Sequence, residues 1–265
     1  MTDAGTDGAT PPIHADLEGR VAVVTGGTRG IGRAITEAFA AAGADVVPTS
    51  RTAADVEAAV AAVKDVGGRS LAQPTDVTDR DAVAALFEQV IDELGGVDVL
   101  VNNAGANPQH ALGTPEDVGP EAFAETVAIN LEGAYACLHE AGPALRADGG
   151  GAAINVASTA GLIGFKRMHA YVAAKHGLVG LTRSAALDWA PAVRVNAIAP
   201  GYVETEFTAG VREREDLYES IVAETPMGRF ATPEEVASAA AFLASDMASF
   251  VTGECLVLDG GWTTQ

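Results

Sequence analysis

Short apolar runs alternate with stripes of apolar residues at helical spacing along almost the whole chain. A strand is predicted over residues 20–25, followed by a helix over 30–42 with Ile31, Ala34, Ile35, Ala38 and Phe39 on one face. Gly43 is placed to end that helix, as a C-terminal glycine does. A second strand follows over 45–50, and a helix over 53–66 stops at Gly67-Gly68. Strands are predicted over 69–73, 97–101, 151–157, 193–198 and 255–258. Helices are predicted over 79–94 with Asp79 as N-cap, over 121–146 as one long rod, and over 169–189. Thr232-Pro233-Glu234-Glu235 opens a last helix through Ala244, with Thr232 as cap and Pro233 in the first turn. Strict β–α alternation implies an α/β fold: a doubly wound parallel sheet with helices on both faces. No linker or repeat divides the chain after residue 17, so 17–265 reads as one domain. Residues 1–16, rich in Thr, Asp, Gly, Ala and Pro, read as a disordered tail. Ligands of such a sheet bind at the carboxyl ends of its strands, near the switch in strand order.

Composition narrows the function. The 265 residues are 48% hydrophobic but only 5% aromatic, and Ala, Val, Leu and Gly carry the apolar content. That suits helices packed closely on a buried sheet. No apolar run approaches the roughly 18 residues a membrane span needs, and no secretory signal precedes the first strand. A soluble, cytoplasmic protein is the expectation. Cys137 and Cys255 sit far apart in apolar surroundings and read as two buried thiols. The five histidines make no metal-ligand spacing, so no metal site is assigned. There are 36 acids against 16 bases, a net charge of −20, and the only lysines are Lys64, Lys166 and Lys175. Such a surface repels nucleic acid and anionic membranes. An ordinary acidic enzyme would account for it. So would adaptation to a salt-filled cytoplasm, where counterions screen self-repulsion; in this the composition resembles haloarchaeal proteins.

The chemistry begins in Thr25-Gly26-Gly27-Thr28-Arg29-Gly30-Ile31-Gly32, between the first strand and the first helix. Glycine permits the tight turn and the close approach of backbone to a pyrophosphate, and the helix N-terminus attracts an anion. Alone, such a turn can be purely structural. Tyr171 and Lys175, four residues apart on a predicted helix, share one face. A free tyrosine ionises near 10, roughly, and a neighbouring ammonium favours the phenolate.

The glycine pattern, Asn102-Asn103-Ala104-Gly105, Ser158, Tyr171-x-x-x-Lys175 and Pro200-Gly201 together resemble the short-chain dehydrogenase/reductase family, over residues 17–265. So does Leu258-Asp259-Gly260-Gly261-Trp262. The resemblance implies a single-domain Rossmann-type fold and hydride exchange between a nicotinamide cofactor and a carbonyl–alcohol pair. By resemblance, Tyr171 gives and takes the proton, Ser158 bonds the substrate oxygen, and Lys175 lowers the tyrosine pKa and bonds the nicotinamide ribose. Asn130 matches the helix asparagine that anchors a relay water. The cofactor would be held by Gly26, Thr28, Arg29, Gly30, Ile31 and Gly32. Asp76 and Val77 would lie at its adenine, and Asn102, Ala104 and Gly105 near the adenine ribose. Pro200, Gly201, Val203 and Thr205 would flank the nicotinamide. After the second strand Ser50 stands where NAD-preferring members carry an acid, and Arg51 follows. With Arg29, this pattern resembles members that prefer NADP(H), leaving NAD(H) possible.

The substrate loops supply Asn107, Pro108, Ile163, Phe165, Lys166, Arg167, His169, Tyr202 and Phe207. Lys166 and Arg167 could hold an anionic group or face solvent. Parts of the chain resemble 3-oxoacyl-thioester reductases, the first expectation, and also gluconate or deoxygluconate dehydrogenases, the alternative. A non-catalytic dinucleotide sensor is a more remote reading, since sensors lack the tyrosine or lysine. The family is commonly homotetrameric, and the Ala- and Gly-rich stretches 121–146 and 169–189 would permit close helix packing across a two-fold axis.

Overall fold

A computed structural model describes residues 14–147 and 149–264, so the first thirteen residues of the expected tail lie outside it. Among the described residues six strands form one sheet in the order β2-β1-β3-β4-β5-β6, every neighbouring pair parallel. The strands are β1 (Val21–Thr25), β2 (Asp45–Thr49), β3 (Val99–Asn102), β4 (Gly151–Val156), β5 (Val193–Pro200) and β6 (Cys255–Leu258). Strand order reverses across β1, which pairs with β2 on one side and β3 on the other. The crevice between the carboxyl ends of β1 and β3 is therefore the switch point.

The helices are α1 (Gly30–Ala41), α2 (Ala53–Asp65), α3 (Arg80–Leu94), α4 (Pro120–Val127), α5 (Gly133–Leu145) and α6 (His169–Trp189). They continue with α7 (Ala209–Arg212), α8 (Glu215–Glu224) and α9 (Pro233–Ala244). Alternate strand residues face opposite layers. Ala22, Val24, Val101 and Ile154 join Ile35 and Phe39 of α1 and Val236 and Ala240 of α9. Val21, Val23, Leu100 and Val195 face Leu86 and Phe87 of α3 and Cys137 and Leu138 of α5. Both faces are covered, which is why β1 and β3 are apolar without alternation. Cys137 and Cys255 are free and buried, as expected, and burial pushes the Cys137 thiol up to about 12.

The predicted caps form. Asp79 Oδ1 accepts the N–H groups of Asp81 and Ala82 at 3.0 and 3.1 Å. The Glu235 carboxylate accepts the Thr232 N–H at 2.8 Å, opening α9. At its other end Arg194 donates to the carbonyls of Leu243, Ala244 and Ser245, placing a scarce cation where the helix dipole favours one.

Two expectations fail, each for a local reason. The segment 69–73 runs beside β2 but is not a strand. Val46 donates its N–H to Arg69 O, and two residues later the same side of the ladder falls to Pro48, which has no N–H. Side chains bridge instead, from Ser70 Oγ to Val46 O and from Thr49 Oγ1 to Gln73 O, both at 2.6 Å. The rod expected over 121–146 is α4, a π-turn at Ala128–Glu132, and α5. Asn130 Nδ2 bonds Thr126 O at 2.8 Å, taking the carbonyl four residues back that an α-helix would give to a backbone N–H. Gly133 donates to Ala128 O, five residues back.

Candidate active site

Helix α1 begins immediately after the glycine turn. Its N-cap, Arg29, is extended and makes no side-chain cap, so nothing from that residue covers the first-turn N–H groups. Gly26 has φ 62° and Gly30 φ 51°, left-handed values that favour glycine. A Cβ on Gly32 would lie 2.1 Å from Gly26 O, so the helix start and the turn can touch only without one. Ile31 packs behind this turn on the core. Thr28 Oγ1 donates to Ser50 Oγ at 3.1 Å, joining the turn to the end of β2. Beyond Ser50, the Arg51 guanidinium acts on Asp76. Burial pushes the Asp76 carboxyl up, but two bonds from Thr78 and the Arg51 charge outweigh it and hold the acid below its usual range. Bare helix N–H groups, two hydroxyls and two guanidiniums form a donor set that fits a phosphorylated dinucleotide.

At the ends of β3 and β4 a second group converges. Ser158 Oγ accepts the Ala160 N–H at 3.1 Å and is hydrogen-bonded to the Tyr171 phenol. Tyr171 and Lys175 are buried, one turn apart on α6. Lys175 Nζ donates to Val156 O at 2.8 Å and sits 5.6 Å from the Tyr171 ring centre. A Cβ on Gly105 would stand 2.8 Å from Asn130 Oδ1 and 3.5 Å from Lys175 Nζ. The loop after β3, the π-turn and α6 therefore meet at one point. Asn130 is fixed there by three bonds, accepting Ala106 N–H and donating to Ala106 O and Thr126 O.

Burial sets the electrostatics of this group. Burial pushes the Tyr171 phenol up to about 12, against the opposing bond from Ser158. Burial likewise pushes the Lys175 ammonium down to about 8. The ammonium is held to the Val156 carbonyl over the ring face.

The sequence-predicted residues divide. Thr205 leans on the glycine turn, its Cγ2 3.3 Å from where a Gly30 Cβ would be. Gly201 lies against Asp259 and donates its N–H to Leu258 O, which ties Pro200 and the end of β5 to β6. Val77 packs against Gly133, and the Val203 side chain is in the core. The Asn102 side chain turns into the core. Its Nδ2 donates to Ala134 O and Asn155 Oδ1, and Asn155 in turn donates to Thr182 Oγ1, a buried chain joining β3, β4 and α6. The neighbouring Asn103 braces the glycine turn, donating to Thr25 O at 2.9 Å and Gly26 O at 3.0 Å. Its N–H and that of Ala104 both bond Thr25 Oγ1. Nothing in the pair Asn102-Asn103 indicated which would turn inward; the alternation of β3 decides it.

One aromatic ring borders the catalytic group, and a separate aromatic cluster lies around Trp262. Phe207 lies 6.0 Å from Tyr171, ring centre to ring centre. Phe165 lies 5.4 Å from Trp262, and Tyr202 meets Trp262 edge-on at 5.9 Å. Trp262 belonged to the family-like C-terminal stretch but was not expected in this cluster. Beside it is a cavity of about 590 Å³ lined by Tyr202, Met227, Arg229, Val257 and Asp259, among others. His169 stacks on Phe123. Lys166, Arg167 and Ile163 are exposed, and Pro108 precedes a short turn at Gln109–Ala111. Asn107 Oδ1 is buried without a hydrogen-bond partner among the described residues.

A profile of the enoyl-(acyl carrier protein) reductase family matches residues 26–263. Cis-4-hydroxycyclohexanecarboxylate dehydrogenase of Sinomonas cyclohexanicum is 45% identical over 246 residues, 92% of this chain and 96% of the relative. The chain belongs to the short-chain dehydrogenase/reductase family. Galactitol 2-dehydrogenase (L-tagatose-forming) of Cereibacter sphaeroides is 40% identical over 251 residues, 93% of this chain and 96% of the relative. Among solved structures, a Beutenbergia cavernae protein provisionally assigned as an NAD(P)-dependent gluconate 5-dehydrogenase, with NADP at low occupancy, superposes with a TM-score of 0.89. It is 41% identical, covering 94% of this chain and 99% of that one. This dehydrogenase is an oxidoreductase acting on alcohol and ketone substrates.

Proposed function

We propose that this dehydrogenase oxidises a secondary alcohol on a ring or polyol, or reduces the matching ketone, with NADP(H) preferred over NAD(H). The carrying observation is the convergence of Ser158, Tyr171, Lys175 and Asn130 beside the Phe207 ring. A bound nicotinamide supplies or accepts the hydride. Tyr171 moves the proton at its hydroxyl, and Ser158 holds the substrate oxygen beside it. Burial keeps the phenol protonated through neutrality, which suits proton donation to a ketone. For oxidation the phenolate needs positive charge nearby, and Lys175 together with an oxidised cofactor would supply it. Gly26, Gly30, Gly32 and Ile31 would shape the pyrophosphate turn, and Thr28, Ser50, Arg29 and Arg51 would take the 2′-phosphate, a reading supported by the bond from Thr28 to Ser50 and the uncapped start of α1. Gly105 leaves space beside Lys175, while Pro200, Gly201 and Thr205 would border the nicotinamide end.

The ring-alcohol reading draws support from the Sinomonas relative and from Phe207 against Tyr171, in a chain with few aromatics. The polyol reading draws on the Cereibacter and Beutenbergia proteins. The 3-oxoacyl thioester keeps only exposed Lys166 and Arg167 as support in this structure. A homotetramer in a salty cytoplasm completes the proposal. Leu187 of α6 is 83% exposed and Phe250 103%, apolar surface that a neighbouring subunit would cover. A panel of 4-hydroxycyclohexanecarboxylate, cyclohexanol, galactitol, gluconate and 3-hydroxybutyryl-CoA, each with NADP and NAD, tests the reading. Turnover of the thioester alone would overturn it.

A further inference from the structure

We propose that Glu206 is a specificity-determining residue for the cofactor, which competes with the 2′-phosphate for the guanidinium of Arg29. The inference rests on the proposed preference for NADP(H). Arg29 Nη1 lies 3.3 Å from Glu206 Oε2, an ion pair between residues 177 positions apart in sequence. The pair links the glycine turn after β1 to the segment that leaves β5.

Glu206 is delivered by a braced segment. Thr208 Oγ1 donates to Val203 O at 2.5 Å, Arg212 donates to Thr205 O at 3.0 Å, and Thr205 rests on Gly30. The second guanidinium of the donor set, Arg51, acts on Asp76. Each arginine thus already faces an acid, in a chain with 16 bases and 36 acids. A phosphate dianion offers more charge and more acceptor oxygens than one carboxylate, so it displaces Glu206, but from a weakened starting point. A cofactor without that phosphate has no need of Arg29 and is indifferent to the pair. Glu206 therefore lowers the affinity for one cofactor and leaves the other nearly untouched.

The two side chains are 73% and 77% exposed, so the effect is modest. Exposed pairs of this kind change an equilibrium about 1.5- to 5-fold. The test is fluorescence titration of the full chain with NADPH and with NADH at low ionic strength, for wild type, Glu206→Gln, Arg29→Gln and the double variant. Glu206→Gln is expected to tighten NADPH about threefold, leave NADH unchanged, and have no effect once Arg29 is replaced. Equal shifts for both cofactors, no shift, or weaker NADPH binding would overturn the proposal. Arg29→Gln alone separates the two levels. If it leaves NADPH binding unchanged, the arginine does not read the phosphate and the cofactor preference itself falls.

Discussion

Lys175→Met isolates the cost of keeping a charge beside the catalytic tyrosine. Lys175 is 3% exposed, and burial lowers its pKa from an ordinary 10.5 to about 8. At neutral pH the folded chain therefore carries an ammonium at a penalty of about 3 kcal/mol. Methionine removes the charge and keeps most of the apolar stem, but the Val156 carbonyl loses its 2.8 Å donor. That loss costs about 1–3 kcal/mol, so the variant should be as stable as wild type or up to about 2 kcal/mol more stable. Catalysis should fall at least about a hundredfold, because the lysine touches the catalytic group. The pH dependence sharpens the test. Between the folded value of about 8 and the unfolded value near 10.4, the unfolded chain binds more protons at this site. Wild-type stability relative to Lys175→Met should therefore be constant below about pH 8 and rise through about pH 10. Urea unfolding at fixed ionic strength, followed by far-UV circular dichroism, measures both quantities. A variant more than about 2 kcal/mol less stable at neutrality, or a difference that does not grow with pH, would refute the buried-charge account.

Tyr171→Phe should lower kcat at least about a hundredfold while NADPH binding stays within about twofold, and near-wild-type turnover would remove Tyr171 from the proton step. Arg51→Asp should erase or reverse an NADPH-over-NADH advantage in kcat/KM, which a wild type favouring NADH would contradict from the start. Because like charges act over about 30 Å at 0.01 M salt but only about 3 Å at 1 M, Tm and oligomer mass should both rise with KCl from millimolar to molar concentrations. Light scattering should give a tetramer at high salt. A flat or falling Tm would leave an ordinary acidic protein, and a strict monomer would defeat the assembly proposal.

The sequence by itself determined the layered plan and the chemistry. Apolar β-runs such as 21–25 and the stripe Ile31, Ala34, Ile35 and Phe39 are short-range patterns, and burial on both sheet faces made them legible. Ser158, Tyr171 and Lys175 were readable because their spacing and residue types recur as a set. Tertiary structure decided matters that depend on distant partners. Pro48 cancels a seventh strand only because its missing N–H faces the segment 69–73. Asn130 opens a π-turn because its amide reaches Thr126 O and the loop carrying Ala106. The pleat turned Asn102 into the core and left Asn103 to hold the glycine turn. Above all, burial raised the Tyr171 pKa while Lys175 was drawn to the Val156 carbonyl. A four-residue spacing brings two side chains to one face; the surrounding dielectric and competing partners decide how their charges interact.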